Sequence, residues 1–239
     1  MRPTLVLLPG LLCDRALWEP QIGYFGARVE CRVADLTGAD SMADLARSVL
    51  AEAPERFALA GLSMGGYVAL EILRQAPERV ERLALLDTSA RPDMPEQLRR
   101  RRGLLALARR GRFQGVTPRL LPLLIHPDRL EEAALTGIVT GMAERIGREA
   151  FLRQQTAIMG RIDSRPHLGR IACPTVIVCG RQDALTPLEL AEELAESIAG
   201  ARLAVIEQCG HLSTLERPDA VNEALAEWLA PALAAGWSL

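Results

Sequence analysis

Aromatic side chains are scarce: Phe, Trp and Tyr together make up 4% of the 239 residues. A binding cavity built from this composition is largely aliphatic and suits a small to medium apolar group. Long hydrophobic runs are missing as well. No apolar stretch approaches the roughly 18 residues needed to span a bilayer, so no membrane partner is expected. Neither sign of charge is in excess, with Lys+Arg 28 against Asp+Glu 30, which leaves no electrostatic case for nucleic acid or an anionic surface. The five cysteines, Cys13, Cys31, Cys173, Cys179 and Cys209, are odd in number, scattered and without a CxxC pair. They read as reduced core residues of a cytoplasmic protein, with no zinc or redox site. Internal repeats and low-complexity segments are absent. Histidine occurs only three times, which leaves few choices for a general base.

The first apolar stretch, TLVLLPGLLCD at residues 4–14, admits two readings, a secretory segment or a buried strand. A secretory core needs about 7–15 uninterrupted apolar residues and a small residue before the cleavage point. Here Pro9 and Gly10 break the run after Leu8, and Leu12 precedes Cys13. The stretch is therefore expected to be a strand closed by a Pro-Gly turn.

Similar short runs follow at Glu30–Ala34, Phe57–Ala60, Arg82–Leu86, Thr175–Cys179 and Arg202–Ile206. Their near-continuous apolarity predicts strands buried on both faces of a mostly parallel sheet. Helical patterns alternate with them. Met42, Leu45, Ala46, Val49 and Leu50 make one apolar stripe behind a capping box of Ser41 and Asp44. Residues 66–76 carry polar groups only at Glu71, Arg74 and Gln75, which predicts a helix buried nearly all round. Thr186, Pro187 and Glu189 read as cap, N1 proline and capping-box acid of a further helix that Gly200 closes. Val221, Ala224, Leu225, Trp228 and Leu229 stripe the last one. The fold class is α/β, a doubly wound sheet. Its core takes residues 1–89 and 167–239, and the helical, arginine-rich segment 90–166 is inserted as a cap, since so long a structureless loop is improbable.

GLSMGG, residues 61–66, follows a strand and opens the buried helix, so it is G-x-S-x-G in the strand-turn-helix context that exposes the serine as a nucleophile. Ser63 is that nucleophile; a capping serine in a glycine-rich turn is the plainer alternative. Gly61 and Gly65 are expected to permit close approach of helix and strands. A serine hydroxyl needs a base, and the base an orienting acid. His211, in QCGHLS after the last strand, lies at the same sheet edge as Ser63, whereas His126 and His167 read as surface or packing residues. Asp183, in CGRQDALTP, is favoured as the acid over Asp87 at the end of LALLD, which reads as a turn aspartate. If strand order reverses between the first and third strands, their carboxyl ends adjoin. The backbone N–H groups of Leu11 and Met64 can then both face a developing oxyanion. Trp18 lines the site or belongs to the core.

The motifs PGLL, GLSMGG, GRQDALTP and GHLSTLERP together resemble those of small bacterial α/β-hydrolases with a helical lid, similar to carboxylesterases and enol-lactonases of that superfamily. The resemblance implies an oxyanion loop, nucleophile, acid and base at these positions, with Ser63, Asp183 and His211 in the order that superfamily uses. Two departures stand out. Pro9 occupies the place of a histidine common before the oxyanion glycine, and the pattern starts at what is usually the third strand.

The expected activity is cofactor-independent hydrolysis of a small-molecule carboxylic ester through an acyl-enzyme. A C–C hydrolase or lyase with the same triad, a lactonase or thioesterase, and a ligand receptor on the same fold remain as alternatives. Arg99–Arg102, Arg109, Arg110 and Arg112 read as the solvated face of a lid helix whose other side carries Leu98, Leu104, Leu105 and Leu107, with an anion-binding role for an acidic or CoA-linked substrate as the alternative.

Overall fold

The computed structural model describes residues 2–234. Six strands, β1 (Thr4–Leu8), β2 (Glu30–Val33), β3 (Phe57–Leu62), β4 (Val80–Leu86), β5 (Thr175–Gly180) and β6 (Arg202–Ile206), form one parallel sheet in the order β2-β1-β3-β4-β5-β6. The order reverses between β1 and β3, so the loops leaving these two strands diverge and open a crevice at the carboxyl edge.

The pleat sends alternate residues to opposite faces. Leu5 and Leu7 of β1 join the core beneath α1 (Glu19–Phe25), α9 (Ser213–Glu216) and α10 (Pro218–Ala234), while Val6 and Leu8 join the core beneath α2 (Met42–Glu52), α3 (Met64–Gln75) and α8 (Leu188–Ser197). Trp18 is fully buried in the first of these cores, so it is a packing residue. The stripes of α2 and α10 face inward as expected, and the Ser41 hydroxyl accepts the Asp44 N–H at 3.1 Å. Between β4 and β5 the chain is helical: α4 (Pro95–Arg109), α5 (Leu121–Leu124), α6 (Ala133–Met159, broken at Gly147) and α7 (Arg165–Leu168).

Several expectations need correction. The edge strands β2 and β6 are half-exposed, because order in the sheet, which composition does not encode, leaves each with one neighbour. Helix α8 starts at Leu188 with Pro187 as its cap residue, Thr186 being engaged elsewhere, and it ends at Ser197. Gly200 instead makes the left-handed turn into β6 with φ +74°. On α4, Leu105 and Ala108 face inward, Leu98 and Leu104 are half-buried and Leu107 is exposed. Leu107 follows Leu105 by two positions, more than half a helical turn away. Arg101 leaves the solvated group altogether: it pairs with Asp93 at 2.6 Å and donates to Gln155 at 2.8 Å. Its neighbours Arg99, Arg100, Arg102, Arg109, Arg110 and Arg112 are exposed.

Candidate active site

Ser63 joins β3 to α3 with φ 54° and ψ −113°, a conformation that non-glycine residues rarely adopt. The turn closes this tightly only with glycine on either side. A Cβ on Gly61 would lie 2.4 Å from the Gly65 carbonyl oxygen, and one on Gly65 would lie 2.1 Å from that of Leu8. Backbone bonds hold the strained residue in place: Ser63 N–H donates to Leu86 O at 3.0 Å, and its carbonyl accepts the Thr88 hydroxyl at 2.8 Å. The side chain does not cap α3, which removes the plainer reading of this serine. Its Oγ lies 2.9 Å from His211 Nε2.

His211 is 3% exposed and stands on the loop after β6. Its N–H donates to Leu124 O at 3.1 Å. The buried Glu216 carboxylate accepts from the backbone N–H of Gly210 at 3.0 Å, Leu212 at 3.3 Å and His126 at 2.7 Å. One carboxylate thus ties the histidine loop to the segment before α6. His211 Nδ1 is 2.8 Å from Asp183 Oδ2. Asp183 Oδ1 accepts the N–H groups of Leu185 at 2.8 Å and Thr186 at 2.9 Å, and Oδ2 also accepts the Thr186 hydroxyl at 2.6 Å. An ionised Asp183 requires the Nδ1–H tautomer, so Nε2 presents its lone pair to the serine O–H.

Burial opposes charge on Asp183, but the nearby His211 and the Thr186 bonds outweigh it and hold the carboxyl below its usual range. Burial likewise disfavours the imidazolium. The Asp183 charge and hydrogen bond, with Glu216 behind them, overcome it and raise the His211 pKa above 6.5.

Asp87, the rival acid, does not reach the imidazole. Its Oδ1 accepts the Gly180 N–H at 2.9 Å, and its Oδ2 meets the N–H of Ser213 at 3.4 Å and the Ser213 hydroxyl. Burial, then the Asp183 charge, push its pKa up to about 8. The folded protein therefore keeps a proton on Asp87 that the unfolded chain gives up near pH 4. Between these values rising pH favours unfolding through this group. Asp87→Asn has no such proton to lose. Its melting temperature relative to the native chain is expected to rise as pH goes from 5 to 8, and a difference that stays flat with pH would contradict this assignment.

Asp87, Cys179 and Asp183 bring possible metal-ligand atoms within 4.8 Å of one another. The carboxylate oxygens are committed to the bonds above, and burial raises the Cys179 pKa, which keeps a thiol at its place. This donor set does not suit a cation.

The β1 loop comes to the same point. A Cβ on Gly10 would lie 3.5 Å from Ser63 Cβ, an ordinary contact, so the residue is adjacent to the serine without being crowded. Among the described residues, the N–H groups of Leu11 and Met64 donate to no protein acceptor. His126 contributes its backbone to Glu216, while its Nδ1 accepts from Asp128 N–H at 3.2 Å. His167 lines a cleft of about 620 Å³ beside α2 and α3 whose walls do not include Ser63. The support that Thr186, Glu216 and Ser213 give the site is not legible in the sequence, where Thr186 reads only as a helix cap. Glu216 and Ser213 stand inside GHLSTLERP and Thr186 inside GRQDALTP, which is the one signal for them.

A family model described as the alpha/beta hydrolase family matches residues 5–224. A pimeloyl-acyl-carrier-protein methyl ester esterase of Nitrosomonas europaea is 25% identical over 91% of this chain and 92% of its own length. Among solved structures, a thermophilic esterase from Thermogutta terrifontis superposes with TM-score 0.87 at 28% identity, covering 96% of this chain and 90% of the other. The enol-lactonase from Burkholderia xenovorans LB400 gives TM-score 0.87 at 25% identity, over 96% and 92%. Among the described residues no helix is long and apolar enough to cross a membrane.

Proposed function

The chain belongs to the α/β-hydrolase family, and from that premise we propose that it hydrolyses a carboxylic ester of a small to medium apolar acyl group through an acyl-enzyme on Ser63. The observation that carries this reading is the unbroken hydrogen-bond path from Ser63 Oγ through His211 to Asp183.

In this reading Ser63 Oγ attacks the ester carbonyl carbon while His211 Nε2 takes the hydroxyl proton, and Asp183 stabilises the imidazolium that results. The carbonyl oxygen becomes an oxyanion held by the N–H groups of Leu11 and Met64. Collapse of the tetrahedral species breaks the bond to the alcohol oxygen, and the alcohol departs with the proton from Nε2. Water then repeats the sequence in reverse roles, releasing the acid and restoring Ser63.

Residues 90–166 act as the cap in this proposal. Leu104, Ala108, Phe113, Val116 and Phe151 pack with Leu11 and Leu12, which puts an aliphatic surface with one aromatic pair, Phe113 and Phe151 at 5.1 Å, beside the oxyanion turn. That surface favours an apolar acyl chain of limited length. The likeness to the enol-lactonase extends the reading to lactones, which are internal esters with the same reacting carbonyl.

A fluorophosphonate is expected to add one mass increment, mapped by peptide analysis to Ser63. Aryl esters of graded chain length, lactones and thioesters are then compared. The expected kcat/KM peaks at short to medium acyl chains and declines for long ones. Labelling at another residue would remove the nucleophile assignment, and a preference for long chains would remove the substrate assignment.

A further inference from the structure

The oxyanion turn has a supporting bond that comes from the helical segment between β4 and β5. Residues Gly10 to Cys13 form a four-residue turn closed by Cys13 N–H to Gly10 O at 3.1 Å. Of its two central residues only Leu12 has positive φ, at +60°. A negative followed by a positive φ is the type II signature, and type II differs from type I chiefly by a flip of the central peptide, here Leu11–Leu12. Glycine is the residue that makes type II easy, and a leucine with its Cβ opposes it. Inside the turn only the weak Cys13 thiol, which donates to Leu11 O at 3.5 Å, holds the flipped peptide, so a stronger partner is called for.

Gln154 meets that requirement. It lies on the second half of α6 and is 1% exposed. Its Oε1 accepts the Leu12 N–H at 3.1 Å, and its Nε2 donates to Leu36 O at 3.1 Å. Both ends of one buried amide are thus fixed on backbone groups from two different loops, the one after β1 and the one after β2. The acceptor sits where the Leu12 N–H points only in the flipped orientation. Leu12 is also held by its side chain, which packs against Ala108, Ala143 and Phe151. The Gly10 carbonyl that closes the turn shares a peptide plane with the Leu11 N–H, so that donor keeps its direction only while the turn stays closed.

We infer that Gln154 is a positioning residue for ester hydrolysis: a latch from the helical insertion that offsets the cost of the positive φ at Leu12, keeps the turn closed and so holds the Leu11 N–H toward the oxyanion. The inference rests on the reading of Leu11 as an oxyanion donor. It also makes turnover depend on the seating of α6, since withdrawing that helix removes the acceptor.

The test uses Gln154→Met, which keeps the bulk and removes the acceptor, alone and combined with Leu12→Gly. Losing one oxyanion donor outright is worth about 10²–10³-fold; a misaimed donor is expected to lower kcat by about 10–10²-fold with KM little changed. Affinity for a trifluoromethyl ketone that forms the tetrahedral adduct should fall by the same factor. Glycine at position 12 favours positive φ without a latch, so adding Leu12→Gly should restore most of the lost kcat. A residue that merely packs the helix would respond in the opposite way, because Leu12→Gly removes further contacts. Hydrogen exchange at the Leu12 amide reports the latch independently. Faster exchange with lower kcat, rescued by glycine, supports the proposal. Native exchange and native kcat in Gln154→Met overturn the latch. Faster exchange with native kcat and native analogue affinity means that the released turn does not govern the oxyanion and overturns the positioning role; native analogue affinity in Gly10→Val, which twists the turn itself, is the separate result that overturns the oxyanion reading of Leu11. If Gln154→Met does not fold, Gln154→Asn, which retracts the amide by one methylene, is measured in its place.

Discussion

Turnover of the preferred ester is expected to fall by about 10²–10⁴-fold or more when His211 is changed to Ala, because the base and the group that orients the serine hydroxyl are lost together. The native enzyme should show kcat/KM rising with pH. Only neutral imidazole accepts the proton, and the raised pKa of His211 places the midpoint of that rise above 6.5. In the alanine variant this limb should vanish along with the rate. His126→Ala and His167→Ala are the controls. The first keeps the backbone N–H that serves Glu216, and the second lies in a cleft apart from Ser63, so both should be nearly silent. A comparable loss at either would mean that the base is elsewhere.

Asp183→Asn is expected to cost about 10⁴-fold, the size seen for the equivalent change in a serine protease, and the structure explains why an isosteric amide cannot serve. Asp183 Oδ1 accepts two backbone N–H groups, from Leu185 and Thr186. An amide NH₂ is repelled from that position, so in the variant it must occupy the place of Oδ2 and point its hydrogens at His211 Nδ1. The ring then accepts on Nδ1 and carries its proton on Nε2, facing Ser63 with the wrong tautomer. Asp87→Asn makes the contrast. Asp87 holds a proton below about pH 8, so at neutral pH an amide resembles it in charge and shape, and the loss should be far smaller. Kinetics of the two folded variants decide between the acids, and a larger loss for Asp87→Asn would transfer the acid to the end of β4.

The sequence was most informative where neighbours in the chain are also neighbours in the site. Ser63 could be read from GLSMGG because the same few residues that fix the turn also expose the hydroxyl. Asp183 and His211 could be read because each follows a strand directly, and parallel strands send all their exits to one edge. Strand positions were legible from apolar runs, although β2 and β6 looked as buried as the others. Gln154 was invisible for a different reason. It is one of two adjacent glutamines on a helix, and what distinguishes it is a bond to a backbone 142 positions away, which only tertiary packing creates. Glu216 shows the same limit: nothing local tells an acid that collects three N–H groups from one that faces water. Thr186 misled for a local reason, since threonine before proline reads as a helix cap while its hydroxyl serves Asp183.

The helical insertion also bears on how the chain finds its fold. Strands β4 and β5 pair directly, yet residues 87–174 separate them, a span about five times that of the 63–79 crossover between β3 and β4. Closure entropy grows only with the logarithm of length, so the longer excursion costs about 1.5 kcal/mol more to close. So weak a penalty lets the excursion be lengthened, shortened or exchanged over evolutionary time without endangering the sheet. Length is therefore nearly free to drift, while one amide is not: any replacement segment that fails to bring an acceptor to the Leu12 N–H leaves the loop after β1 to choose its own conformation.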